Sequence, residues 1–179
     1  MYSLRLTKVP ENGTLRQPNM HLDLADLGLT APFDPAGVEL SFELTRMMEK
    51  VFGKVRAQAG ARHSCGRCLG EFDAPVRADF VVQFEAKPAE GPGQEEDIDP
   101  DAPDRAVAYY EGDEIPLGEE IRQELELQLP FAPVCRKDCK GRCPSCGQDL
   151  NVQDCGHGPV RGNDAFSALK QLFNDPERA

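Results

Sequence analysis

The sequence contains no tryptophan, no long apolar run and no excess of basic residues. Its 179 residues include 20 lysines and arginines against 31 aspartates and glutamates, which gives a formal net charge of −11 at pH 7. Sequence-independent affinity for nucleic acids or anionic membranes comes from basic side chains that neutralise phosphates. The charge balance therefore excludes a protein that coats duplex DNA or a membrane over its whole surface, and leaves room for a local basic patch.

Two further absences concern the cell compartment. No stretch of about 18 apolar residues occurs, as a membrane span would need, and residues 1–8 lack the apolar core of a signal peptide. We therefore expect a cytoplasmic protein that does not associate with membranes. Its seven cysteines are not expected to form disulfides, because the cytosol keeps thiols reduced and an odd number cannot pair completely within one chain.

Signatures of common catalytic sites are missing as well. The sequence has no His-Glu-x-x-His zinc-hydrolase motif, no glycine-rich phosphate loop and no Gly-x-Ser-x-Gly nucleophile motif. We expect a protein that is not an enzyme and has no small-molecule substrate.

Acidic residues are concentrated in residues 88–104, which hold seven acidic side chains and four prolines. This composition is typical of a solvated, extended linker, and without it the chain carries a charge of only −4. The sequence thus predicts three parts. They are a mainly β part over residues 1–87 with a Cys-x-x-Cys hairpin, the linker, and a part over residues 105–179 with a helix, a zinc-knuckle segment and a C-terminal helix.

Alternating apolar residues predict β-strands in the first part. The pattern is clear in residues 38–44 and 76–84 and weaker in residues 51–63, and it favours an antiparallel meander with one buried face. Residues 18–35 resemble a short helix or a loop instead.

After the linker the periodicity changes to that of a helix. An apolar residue recurs at every fourth position from Leu117 to Leu129, and Pro130 ends the pattern. A second helix is predicted near the C-terminus, capped by Asn163 or Asp164. Its apolar face consists of Ala165, Phe166, Leu169, Leu172 and Phe173. The predicted fold class is α+β: an antiparallel β-meander with zinc-binding hairpins and two helices in the C-terminal half.

The cysteines fall into two groups with the spacing of metal ligands. Cys65-Gly-Arg-Cys68 occupies a predicted hairpin tip, and the other five cysteines lie between residues 135 and 155, followed by His157. In a Cys-x-x-Cys turn both thiolates face one point about 2.3 Å away, and zinc needs four such ligands in a structural site. Seven cysteines and His157 make eight ligands, which is enough for two tetrahedral zinc sites.

Spacing favours one partition of these eight ligands. The first predicted site is a long-range clasp, and the second is a compact set within fifteen residues. The first comprises Cys65, Cys68, Cys135 and Cys139, and the second comprises Cys143, Cys146, Cys155 and His157. A site that combines Cys135 and Cys139 with Cys143 and Cys146 stays open, because all its spacings are short. Saturated thiolate sites leave no open position for water, so we expect the zinc to be structural.

Basic residues surround the second group of cysteines. They are Arg136, Lys137, Lys140, Arg142 and Arg161, of which the first four are the candidate contact residues. On an acidic chain, such a small basic surface predicts a local contact with RNA phosphates or with an acidic patch of a partner protein.

Four motifs follow one another between residues 38 and 173. They are Cys65-x-Arg67-Cys68-Leu69, Leu129-Pro130, Cys135-x-x-x-Cys139-Lys-Gly-x-Cys143-Pro-x-Cys146-Gly-x-x-Leu-Asn151, and Phe166-x-x-Leu169-x-x-Leu172. Together they resemble the YceD family of large ribosomal RNA subunit accumulation proteins. One departure is His157, where the resemblance leads us to expect the second cysteine of a Cys-x-Cys pair. Histidine is a competent zinc ligand.

The resemblance implies a bacterial cytoplasmic protein, with relatives in plastids, that is needed for the accumulation or processing of large-subunit (23S) ribosomal RNA. We hypothesise a zinc-stabilised accessory factor of ribosome assembly that binds a large-subunit pre-ribosomal particle, its rRNA or a ribosomal protein. Two alternatives stay open. One is a thiol redox protein or sensor that uses Cys65 and Cys68, and the other is a zinc-ribbon transcriptional regulator.

Overall fold

The computed structural model describes residues 1–87 and 106–158, which belong to two compact units. Unit 1 consists of Met1–His63 and Glu71–Phe131, and unit 2 of Ser64–Gly70 and Ala132–Ala179, of which residues 132–158 are described. Among the described residues, no helix combines the length and the apolar character needed to cross a membrane. The predicted division of the chain at a linker over residues 88–104 stays a prediction, because these residues lie outside the described ranges.

In its described residues, unit 1 consists of short and long β-strands, two α-helices and one 3-10 turn at Leu6–Lys8. In chain order the elements are β1 (Leu4–Arg5), β2 (Thr14–Leu22), α1 (Leu24–Leu27), β3 (Phe33–Met47), β4 (Lys50–Ser64), β5 (Glu71–Ala86), β6 (Ala106–Tyr110), β7 (Glu114–Ile115) and α2 (Leu117–Leu127). This set of strands and helices belongs to the α+β class, so the predicted fold class is confirmed. The predicted C-terminal helix lies outside the described residues.

Five strands form one sheet in the order β2-β3-β4-β5-β6, and β1 pairs with β7 in a second, two-stranded sheet. The pairs β2–β3 and β3–β4 are antiparallel. Three salt bridges join β4 to β5, and their order shows that these strands also run in opposite directions. They are Lys50–Glu85, Arg56–Asp79 and Arg62–Asp73. The meander therefore extends over four strands, whereas β6 lies parallel to β5.

The core of unit 1 lies against one face of the large sheet. On β3 every second residue from Val38 to Leu44 is buried, and on β4 burial alternates from Val51 to His63. Such alternation follows from strand geometry, because successive side chains point to opposite faces of a sheet. On β4 the alternation is weak in the sequence because Gly53 and alanines occupy inward positions. These residues are nevertheless buried, so the weak pattern predicts burial as well as the clear pattern on β3 does.

Helix α2 covers part of this apolar surface and packs against β5. Leu117, Ile121 and Leu125 are fully buried, as their four-residue spacing predicts. The helix ends two residues before the predicted end, and Leu129, in the turn that follows it, is partly buried against the core.

Residues 18–35 are more regular than the sequence indicates. The chain from Thr14 to Leu22 forms strand β2, although it contains Pro18, and the register shifts between Gln17 and Met20. This irregularity accommodates the proline, which has no N–H for the sheet, and β2 is an edge strand. The short helix expected in this region is α1, which ends at Gly28 in the left-handed conformation.

Candidate metal centres

Unit 2 contains two turns of the same construction, each around a Cys-x-x-Cys pair. We call residues 65–70 the first knuckle. In it, the N–H of Leu69 donates to the carbonyl of Cys65, and the N–H of Cys65 donates to the carbonyl of Gly70, both at 2.9 Å. These two hydrogen bonds close the turn and bring the thiols of Cys65 and Cys68 to the same side.

The second knuckle, residues 143–148, repeats this pattern. Gly147 donates to the carbonyl of Cys143, and Cys143 donates to the carbonyl of Gln148, both at 2.8 Å. Gly147 has a φ of +74°, which is the left-handed conformation that glycine adopts without steric conflict.

The first knuckle forms part of a cluster of four cysteines, the first quartet: Cys65, Cys68, Cys135 and Cys139. Their sulfur atoms all lie within 4.8 Å of one another. The Sγ atoms of Cys65 and Cys139 are 3.9 Å apart, and those of Cys68 and Cys135 are 3.8 Å apart. A tetrahedron of sulfurs around a zinc ion at about 2.3 Å has edges of about 3.8 Å, so this arrangement fits a four-coordinate ion.

Backbone N–H groups surround the sulfur of Cys65. The amides of Cys135 and Arg67 each lie 3.4 Å from its Sγ. Together with the other amides of the knuckle, the hydrogen bond from Cys135 lowers the pKa of the Cys65 thiol to about 6. The thiolate is the form that binds a metal, so the turn prepares this ligand for coordination.

The second knuckle contributes to the second quartet: Cys143, Cys146, Cys155 and His157. Its four donor atoms also lie within 4.8 Å of one another, and Nδ1 of His157 is 3.3 Å from Sγ of Cys155. The backbone amides of Cys146 and Ser145 lower the pKa of the Cys143 thiol to about 6. This donor set of three sulfurs and one imidazole is one of the combinations that tetrahedral zinc accepts.

The two quartets differ in burial. In the first, Cys65, Cys68 and Cys139 are buried, whereas in the second only Cys143 is buried and Cys146 and His157 are exposed. All seven cysteines are free of disulfides. The structure brings together the two quartets that spacing favours and does not group Cys135 and Cys139 with the second knuckle.

A turn at residues 149–151 links the second knuckle to the first quartet. Nδ2 of Asn151 donates to Sγ of Cys139 at 3.5 Å, and its Oδ1 accepts the backbone N–H of Lys140 at 2.9 Å. Asp149 fixes this asparagine by accepting hydrogen bonds from its backbone and its side-chain amide, which lower the pKa of Asp149. Sequence reasoning missed this contact, although Asp and Asn two residues apart are a known turn signal.

The four basic residues singled out by the sequence have different surroundings. Arg142 donates from Nε to the carbonyl of Cys68 at 2.8 Å, and Arg136 donates to Oδ1 of Asn151 at 2.8 Å, so both also hold the knuckles together. Lys137 and Lys140 are exposed. Arg67, which the sequence did not single out for contacts, donates to the carbonyl of Cys139 at 3.1 Å.

Comparison with known proteins gives one family. The family model described as Large ribosomal RNA subunit accumulation protein YceD matches residues 53–173, a range that includes both quartets. No solved structure matches the chain.

Individual relatives cover most of the chain. An uncharacterized protein of Mycobacterium tuberculosis is 32% identical over 82% of this chain and 67% of its own length. An uncharacterized protein of Mycobacterium leprae is 29% identical over 77% of this chain and 60% of its own. The Zea mays large ribosomal RNA subunit accumulation protein YCED homolog 1, chloroplastic, is 26% identical over 90% of this chain and 64% of its own. The chain thus spans about two thirds of the length of these relatives.

Proposed function

The chain belongs to the YceD family of large ribosomal RNA subunit accumulation proteins, and from that premise we propose that it is a zinc-stabilised accessory factor for large-subunit (23S) rRNA accumulation and processing. It acts in the cytoplasm without catalysis, by binding a large-subunit precursor particle through its rRNA or one of its proteins. The name of the maize relative supports the connection with large-subunit rRNA.

The observation that carries the zinc part of the proposal is the composition of the interior of unit 2. Among its described residues, the buried side chains are those of four cysteines: Cys65, Cys68, Cys139 and Cys143. Among the described residues, those of the apolar core all belong to unit 1. Because the described residues of unit 2 bury no aliphatic or aromatic side chain, they need another source of stability, and structural zinc supplies folding free energy directly.

A structural role follows from the donor sets. Each quartet provides four protein ligands, which saturate a tetrahedral ion and leave no position for a substrate or an activated water. When bound, zinc supplies cross-links between the knuckles and the segments that follow them. Backbone amides lower the pKa of the Cys65 and Cys143 thiols to about 6, which favours the thiolate form that binds a metal.

The partner-binding surface is proposed to lie on the outside of the knuckles. Lys137 and Lys140 are exposed and suit contacts with phosphates or carboxylates, and Arg136 and Arg142 add charge beside them. Because these basic side chains are few, we expect a local contact rather than broad electrostatic coating.

Co-sedimentation tests the proposal. The purified full chain is mixed with large-subunit precursor particles and separated on a gradient, and 23S rRNA is measured in cells depleted of the protein. We expect co-migration and reduced 23S rRNA, with binding weakened by Lys137→Glu and Lys140→Glu but unchanged by Lys8→Glu in unit 1. The absence of both co-migration and an effect on 23S rRNA would contradict the proposed function.

A thiol redox function is the second candidate, because the pKa of Cys65 is lowered to about 6. Burial opposes it, since the exposed fractions of Cys65 and Cys68 are 0% and 6%. Alkylation of the native protein separates the two functions. We expect both thiols to be protected until the metal is removed, whereas rapid labelling of Cys65 in the metal-loaded protein would favour the redox protein.

A further inference from the structure

Leu69 combines two unfavourable features. Its φ is +60°, a left-handed conformation that residues with a side chain rarely adopt, and its side chain is 64% exposed although it is aliphatic. Strain of this kind persists only where the surrounding structure enforces it, and it is concentrated at functional sites.

The second knuckle provides an internal comparison. Gly147 occupies the same position as Leu69, makes the same hydrogen bond and has a similar φ of +74°. The turn therefore requires a left-handed residue at this point and is satisfied by glycine. Leucine adds strain and an exposed apolar surface, and neither of them contributes to closing the turn.

Two arginines lie near Leu69, and the guanidinium of one of them, Arg142, is placed beside it by a hydrogen bond. Arg142 donates to the carbonyl of Cys68, which belongs to the peptide group that also contains the N–H of Leu69. Arg67 lies two residues before Leu69 in the same knuckle, and its carbonyl accepts the N–H of Arg142 at 3.1 Å. Neither arginine forms a salt bridge with any described residue.

This chemistry is complementary to a protein surface. An aliphatic tip fits an apolar pocket, and the neighbouring guanidinium of Arg142 can pair with a carboxylate at its rim. Recognition of single-stranded RNA stacks bases on aromatic side chains or on arginine guanidinium planes, and the aliphatic tip of Leu69 offers no such platform. The described residues of unit 2 contain no phenylalanine, tyrosine or tryptophan.

We propose that Leu69 is an anchor with which the first knuckle inserts into an apolar, carboxylate-rimmed pocket on a protein of the large-subunit precursor particle. The proposal rests on the proposed function and narrows it to a protein contact. The four cysteine ligands around the knuckle keep the anchor in place, so that little side-chain and backbone freedom is lost on binding.

The substitution Leu69→Gly distinguishes an effect on stability from an effect on partner binding. Glycine relieves the backbone strain, so the Tm of the metal-loaded full chain is not lowered, while affinity for purified large-subunit precursor particles falls about ten-fold or more through loss of the buried side chain. Met48→Gly is a matched control, because Met48 has a φ of +57° and is 81% exposed in the β3–β4 turn. We expect it to leave the affinity unchanged.

Three results distinguish a failure of the proposed function from a failure of the Leu69 anchor. If the wild-type chain does not bind the particles, the proposed function fails. If the wild type binds and Leu69→Gly binds equally well, the anchor is wrong while the function stands. If Leu69→Gly and Leu69→Asn both lower the Tm together with the affinity, the leucine is a structural residue and the proposal is overturned.

Cross-linking identifies the class of partner. A diazirine analogue of leucine is placed at position 69 of the full chain, with Leu127, which is exposed in α2, as the control position. Irradiation of the particle complex is expected to give a product at position 69 that resists RNase and is destroyed by protease. Cross-linking of position 69 to rRNA, or equal cross-linking from both positions, would overturn the proposal.

Discussion

The side-chain amide of Asn151 donates a hydrogen bond to the sulfur of Cys139 across 3.5 Å. Because Asn151 follows the second knuckle and Cys139 belongs to the first quartet, this bond joins the two candidate metal centres. An N–H group directed at the sulfur of a metal ligand fixes the orientation of that ligand. We therefore expect Asn151 to position Cys139 in the first candidate centre.

Asn151→Ala is expected to weaken metal binding at the first quartet. Loss of a partner outside the ligand set commonly lowers metal affinity about 10- to 100-fold. Competition between the protein and a chromophoric chelator measures the affinity, with the exposed Gln153→Ala as a control. Equal affinities for Asn151→Ala and the wild type would show that the hydrogen bond does not support the centre.

The two centres are expected to lose their metal in a fixed order. Cys146 and His157 of the second quartet are exposed, whereas Cys65, Cys68 and Cys139 of the first are buried. A chelator should therefore remove the first equivalent of metal from the second quartet. Mass spectrometry after alkylation at increasing chelator concentration should find Cys146 and Cys155 labelled before Cys65. Labelling in the reverse order would contradict this account of the burial.

Glu120 gives a pH-dependent prediction. Burial, followed by repulsion from Glu119 and Glu124, raises the pKa of its carboxyl. The folded state therefore holds this proton to a higher pH than the unfolded state, so stability contributed by the protonated form is lost as the pH rises through the folded pKa. Glu120→Gln should raise the Tm at pH 7.5 by a measurable amount, which stays below about 2 °C because the side chain is only half buried.

The same substitution should have a smaller effect at pH 4.5, and thermal unfolding at the two values checks this difference. Glu49→Gln, in the exposed β3–β4 turn, is the control and should leave the Tm unchanged at pH 7.5. A Tm for Glu120→Gln that equals the wild-type value at pH 7.5 would show that the carboxylate is adequately solvated.

Gly118 lies where the first turn of α2 meets the N-terminal segment. Its N–H donates to the carbonyl of Tyr2 at 2.8 Å, and a Cβ would lie 2.5 Å from that oxygen. Gly118→Ala is expected to destabilise unit 1 by about 1–3 kcal/mol, because backbone atoms must separate. Chemical denaturation measures this change. Gly158→Ala, where a Cβ would meet nothing within 4 Å, should be neutral, and equal effects of both substitutions would refute the close approach.

Much of the buried face of unit 1 could be predicted from the sequence, since alternation on β3, β4 and β5 and the four-residue spacing on α2 record burial directly. Strand β2 was not predicted, because Pro18 and its polar neighbours lack the apolar–polar alternation of a strand. The register shift that accommodates them arises from pairing with β3. The parallel direction of β6 depends on the path by which the chain returns to the sheet. The pattern of residues 106–110 gives no information about that path.

For the metal centres, ligand count and spacing predict the two quartets that the structure brings together. The hydrogen bonds around them were not predictable in the same way. Arg142 and Asn151 reach the first quartet from the second half of the chain, and such approaches depend on how separate segments meet. From its residue type alone, Arg142 predicts part of a basic surface and Asn151 predicts a turn.

Co-sedimentation of the full chain with large-subunit precursor particles, before and after removal of its metal, tests the central claim most directly. The account predicts about two zinc ions per chain in the protein that co-migrates with the particles, with co-migration lost on chelation and restored by zinc. Failure of the zinc-loaded chain to co-migrate, or equal co-migration of the stripped chain, would contradict it.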